Sequence, residues 1–267
     1  MSPVSTAKLA IYAILCLPAV YILIKHGGPG FLGWLYVTVF FTLRIVGGAL
    51  SLSGSPSAGL ISSIGLSPLL LAAAGILHEA RVYRFPQLDR KWEWIRVALY
   101  HLVVTGGLAL VAAGASHLQD SDPAPSDATL AKAGLGILVL AWTILAGWAC
   151  LSLRSSSVVV DAGVRRRPTD PERAGTMLLY SVLFSVVFIG IRLIYTLVAM
   201  TSGSGSLNPG SASLAVQVCL TMLPELLAAL AFLAVGVCTR NVRCLSRGVE
   251  AGGRDDMKGW RCGRTYE

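Results

Sequence analysis

In the stretch TMLPELLAAL, Thr221 to Leu230, a proline and a carboxylate, Pro224 and Glu225, interrupt an otherwise apolar run. Only two other formal charges stand well inside comparable runs, Arg44 in FTLRIVGG and Arg192 in FIGIRLIY. A lone charge in hydrocarbon costs about 3 kcal/mol on insertion scales. Each of the three is therefore expected to face inward and to find a partner. Two guanidinium groups and one carboxylate leave one positive charge over, and an uncompensated buried cation attracts an anionic or carbonyl-bearing ligand. The competing account is structural. Arg192 and Glu225 would then form an interhelical ion pair, with Arg44 held by backbone carbonyls and hydroxyls.

Neighbouring residues extend the polar set. Gln217, Thr221 and Glu225 recur at i, i+4 and i+8, which on a straight helix is one stripe. Arg192 and Tyr195 share a helix face, and Ser67 precedes Pro68 inside a third apolar run. Pro68 and Pro224 would each remove a helical hydrogen bond and free a carbonyl, tolerated in a membrane where side chains or water satisfy it. At 1.5 Å per residue, Arg44 and Arg192 lie about 12 Å from the outer ends of their runs. Glu225 lies about 17 Å in and Pro68 about 13 Å in. Candidate ligand-binding residues are thus Arg44, Ser67, Arg192, Tyr195, Gln217, Thr221 and Glu225.

The elements that must carry them follow from composition. The chain has 267 residues, 54% hydrophobic and 13% charged, whereas soluble domains carry roughly a quarter charged residues. Runs of about 20 apolar residues cross a bilayer as helices, and open strands cannot. Seven such runs are expected as spans, at about 7–24, 31–52, 59–77, 94–114, 130–153, 176–200 and 213–238. TDPER is expected to start the sixth helix, with Asp170 as cap and Pro171 in the first turn. The resulting fold class is all-α, one polytopic seven-helix bundle over 1–238, followed by a basic, disordered tail at 239–267.

Charge placement orients that bundle. Of the 22 Lys and Arg, Lys8 and Lys132 fall on the N-terminal side and Arg44 and Arg192 lie within spans. All the others gather at the opposite side, including Arg81, Arg84, Arg96, Arg165, Arg166 and Arg167. Basic loops stay cytoplasmic, so the N-terminus is expected outside and the C-terminus inside. The net charge of +8 is thereby assigned to topology rather than to nucleic acid.

Other chemistry is not readable. HEARV from His78 lacks the second histidine of a zinc-protease motif, and His26, His78, His101 and His117 are scattered, so no metal is expected. The six cysteines lie in spans or at the cytoplasmic end and form no disulfide framework. No Gly-rich phosphate loop occurs, no lysine in the seventh span could carry retinal, and no cofactor is expected. No span contains GxxxG.

Several stretches resemble a fungal family of uncharacterised seven-helix membrane proteins known as a domain of unknown function. They are LRIVGG, SIGLSPLLLAAAGIL, LAKAGLGILVLAW, IRLIYTLVAM, LNP and CLTMLPELLAALAFLAVGV, spread between Leu9 and Val237. The resemblance implies a single seven-helix bundle of fungal origin, with Arg44, Ser67, Pro68, Arg192, Tyr195, Pro224 and Glu225 at motif positions.

Together these readings describe a multi-pass protein of the endoplasmic reticulum or plasma membrane. It is expected to bind a lipophilic small molecule at the Arg44, Arg192 and Glu225 site, as an accessory or receptor-like component of fungal specialised metabolism. Its partners would be the bilayer, that ligand and other membrane or pathway proteins. The first alternative is a membrane-embedded cyclase or isomerase acting on a terpenoid-like or polyketide substrate, with Glu225 as general acid. An adjacent arginine works against that role. The second alternative is a transporter, for which no inverted repeat is visible.

Overall fold

The structure is a computed structural model. It describes residues 3–55, 61, 65–85, 87–117, 125–154, 170–202 and 214–241. Every regular element among the described residues is helical, and the chain folds as a polytopic helical bundle. The long helices are α1 (Pro3–His26), α2 (Phe31–Leu52), α3 (Ser67–Arg84), α4 (Arg90–His117), α5 (Pro125–Arg154), α6 (Asp170–Ser202) and α7 (Leu223–Cys238). A single 3₁₀ turn, Gly28–Gly30, links α1 to α2. A short helical start, Leu214–Val216, and a π-helical turn, Gln217–Met222, lead into α7.

Six helical stretches are long and apolar enough to cross a bilayer, and α3 is not among them. The six pack as a ring in the order α1, α2, α4, α5, α6, α7, with α7 returning to α1 and Tyr36 meeting His101 between α2 and α4. Helix α3 fills the middle, against α2, α4, α5 and α6, and 15 of its 18 residues are buried. The outer helices turn large apolar side chains outward, among them Leu17, Leu102, Leu140, Leu151 and Val187. An exterior as apolar as the interior is stable only against lipid. This is a multi-pass membrane protein. Exposed Tyr21, Trp92, Trp94 and Tyr180 stand near the loop end that carries Lys25 and Arg90, as aromatic side chains do at a headgroup boundary.

The expected third span, 59–77, needs correction. Its helix is α3, which starts at Ser67 and runs through Arg84, while positions 59–60 and 62–64 lie outside the described residues. Most of the stretch expected as a polar connection from His78 to Glu93 is helical. The apolar window ends at Leu77, but the backbone ladder continues because buried partners hold the polar side chains that follow. Pro68 is corrected too: it sits in the first turn of α3, where its missing N–H would have had no helical partner, so it breaks no ladder there. The start of α6 at Asp170 agrees with the expectation. The expected tail lies outside the described residues from position 242 onward.

Close helix approach is made by isolated glycines rather than GxxxG. A Cβ on Gly75 of α3 would lie 2.5 Å from the Gly33 backbone of α2, so the two helices touch main chain to main chain. Gly106 on α4 has nothing within 4 Å of the equivalent point. Gly75→Ala is accordingly expected to lower stability by about 1–3 kcal/mol through overpacking. Gly106→Ala should be neutral or stabilising by about 0.5–1 kcal/mol. Thermal unfolding of the two variants in detergent checks the contrast, and equal effects would contradict the close contact.

Candidate functional site: a carboxylate shared by two arginines

The three charges expected to meet do meet. Arg44 Nη2 of α2 donates to Glu225 Oε1 at 2.6 Å, and Arg192 Nε of α6 donates to the same oxygen at 3.0 Å. Glu225 and Arg192 are buried, at 2% and 4% exposure. Three helices are thus tied at one oxygen atom. Arg192 Nη1 also donates to the Thr196 hydroxyl one turn on, and its guanidinium lies 5.8 Å from the Tyr195 ring centroid. The Arg44 guanidinium lies 5.4 Å from the Phe40 ring centroid. Its other side is covered by the chain entering α3: a Cβ on Gly65 would lie 2.8 Å from Arg44 Cζ.

Local structure places Glu225. Proline at 224 has no N–H, and its ring crowds the carbonyl four residues back, that of Leu220. The turn ahead of it widens to a π-helix, and the Leu223 N–H donates to Val218 O, five residues back. Glu225 then falls in the first α-helical turn after that widened turn, within a helical path that continues from Leu214. The widened turn corrects the expected stripe. Gln217, Thr221 and Glu225 share one face only on a straight α-helix, and Gln217 and Thr221 lie on the π-turn, half-buried. Thr221 makes no hydrogen bond to the charged groups among the described residues. Ser67 is buried at the start of α3 and is likewise not bonded to them among the described residues.

Helix α1 supplies residues that the sequence did not reveal. Lys8 and Tyr12, one turn apart, are close enough for the charges of Glu225, Arg44 and Arg192 to act on them. The Tyr12 ring meets Phe40 edge-on at 5.8 Å and Phe41 at 6.1 Å. The described charges around the cluster are therefore three basic groups against one carboxylate.

A second buried carboxylate, Glu79, was expected in a loop and is instead fully buried on α3. Its Oε1 lies 2.7 Å from His26 Nδ1, and its Oε2 accepts the Trp34 indole N–H at 2.9 Å. His26 Nε2 faces the Gly236 carbonyl at 3.0 Å, so that nitrogen carries a proton. One further proton is shared between Nδ1 and the carboxylate, and the network is neutral overall. It binds α1, α2, α3 and α7 together with every ring nitrogen and carboxylate oxygen engaged. The signal for it was Pro86, which bars helix continuation only from Phe85 onward and so leaves Glu79 within a helix. A third network joins α3, α4 and α5: Arg81 holds Glu93 by two hydrogen bonds, at 2.9 and 3.2 Å, and donates to Ser152 Oγ at 2.7 Å, while the exposed Arg96 donates to Glu93 Oε1 at 2.6 Å.

The family model for a domain of unknown function (DUF7702) matches residues 1–242. The chain belongs to that family. The DUF7702 match takes in all seven helices and ends one residue past Asn241, the last described position. No curated protein and no solved structure matches the chain.

The shared oxygen makes the three charges unequal. Glu225→Ala strands two guanidinium groups and is expected to cost about 3–5 kcal/mol. Arg44→Met or Arg192→Met leaves a one-to-one pair and should cost less. Ranking the three melting temperatures in detergent tests this, and a Glu225→Ala loss no greater than either arginine loss would contradict it.

Proposed function

We propose that this protein binds a lipophilic small molecule bearing a carbonyl or carboxylate at the Arg44, Arg192 and Glu225 cluster. The carrying observation is that two guanidinium groups from different helices share one oxygen of a single buried carboxylate. Glu93 is also shared by two arginines, but there the second cation, Arg96, is more than half exposed to the surroundings, whereas both partners of Glu225 are buried or nearly so. The cluster instead keeps positive charge in excess inside an apolar bundle, where a ligand oxygen would be held strongly. The His26–Glu79 network is the contrast within the same molecule: it is neutral, complete and suited to holding helices together.

In this reading α3 is a seventh membrane helix held within the ring of six, and the basic loop end faces the cytoplasm with the N-terminus outside. The ligand reaches the cluster from lipid or from the outer leaflet, in the endoplasmic reticulum or plasma membrane. The bundle comprises 1–238 and the basic tail 239–267. The setting that fits is a fungal one, with the protein as accessory or receptor-like component of specialised metabolism.

Native mass spectrometry of the protein purified in mild detergent tests the binding. A lipophilic adduct is expected on the unmodified protein and absent from folded Arg192→Gln. An adduct that survives Arg192→Gln, or no adduct on either protein, would contradict the reading.

A further inference from the structure

We propose that the cluster extends onto α1 and takes the carboxylate of a long-chain monocarboxylate, with Tyr12 donating to it and Lys8 standing at its rim. The inference rests on the binding function proposed above and names its ligand class.

Tyr12 is 2% exposed and its hydroxyl has no hydrogen-bond partner among the described residues. A buried hydroxyl left unpaired costs about 1–3 kcal/mol, and the charges of Glu225, Arg44 and Arg192 all act on this one. The edge contacts with Phe40 and Phe41 fix the ring, and the Phe40 ring also carries the Arg44 guanidinium. The Tyr12 ring and the Arg44 guanidinium are thereby both held against Phe40.

Arg192 supplies the second donor. Its Nε and Nη1 are used by Glu225 and Thr196. Among the described residues nothing accepts from Nη2. An open guanidinium nitrogen and an unpaired phenol hydroxyl, linked by the charge they both feel from Glu225, offer two donors and a positive charge, the complement of a carboxylate.

Charge selects the acid over a neutral carbonyl. With Lys8, Arg44 and Arg192 around one Glu225, a neutral ligand leaves the excess uncompensated, whereas one carboxylate reduces it. Lys8 is half-buried and lies one helical turn nearer the N-terminus than Tyr12, where it can meet an acid head group before the buried residues do. The apolar exterior of the ring leaves the hydrocarbon chain in lipid.

The test uses the detergent-purified full chain and tritiated palmitate in a scintillation proximity assay, with methyl palmitate and hexadecanol as competitors. Palmitate is expected to bind, and the ester and alcohol to compete poorly. Tyr12→Phe, which keeps the ring packing, should weaken palmitate binding about tenfold. Lys8→Gln should weaken it a few-fold and flatten its salt dependence. Unchanged palmitate affinity in both variants would overturn the α1 extension. Equal competition by ester and alcohol, with all binding lost in Arg192→Gln, would overturn the carboxylate assignment and leave the lipophile reading standing. Binding absent, or indifferent to Arg192→Gln, would overturn both.

Discussion

One oxygen atom, Glu225 Oε1, accepts hydrogen bonds from two arginines on two other helices, and the arrangement of the second, sixth and seventh helices depends on it. Neither arginine is bearable in the bundle without a counter-charge, and a carboxylate alone in hydrocarbon would be equally costly. The bulk of the contact area is apolar and would tolerate sliding or rotation. A shared charge does not: it fixes which face of α2 and of α6 turns towards α7. The π-turn before Pro224 belongs to the same constraint, since it sets the rotation at which Glu225 enters the bundle.

The molecule holds buried charge in two ways. At the loop end, His26, Trp34 and Glu79 form a neutral set in which each donor meets one acceptor, and Arg81 holds Glu93 bidentately while the exposed Arg96 bonds it from outside. Both sets close around α3 and anchor it within the ring. Deeper in, the charges of the Arg44 and Arg192 cluster are unbalanced among the described residues. An unbalanced site in an apolar interior carries a standing electrostatic cost that a ligand of opposite charge relieves. Burial of the surplus cation, which at Glu93 is the exposed Arg96, separates the site proposed to bind from those that bind helices together.

Much of the bundle was legible in the sequence because hydropathy reports the residues that lipid must solvate. The second helix was expected and found at 31–52, and the sixth at its Asp170 start. The triad was legible for the same reason: charges inside apolar runs must converge. Helix α3 was legible only in part. Its second half carries His78, Glu79, Arg81 and Arg84, which hydropathy reads as loop, although packing buries the first two and half-buries the arginines. Hence Glu79 was missed until His26 and Trp34 could be seen around it. Pro68 and Pro224 were both expected to interrupt ladders. Pro68 instead opens a helix, whereas at Pro224 the ladder does change, widening to π pairing just ahead of it. Tyr12 gave no signal, because a tyrosine in an apolar run is indistinguishable from core until its hydroxyl is located.

The sharing of one carboxylate by two arginines is tested most directly by a double-mutant cycle on Arg44 and Arg192, each replaced by Met, followed by unfolding in detergent. If both bond Glu225, either replacement alone leaves it paired and only the double replacement strands it. The double variant should then be less stable than the two single losses together, by about 0.5–3 kcal/mol. Strict additivity of the two replacements would contradict the shared carboxylate.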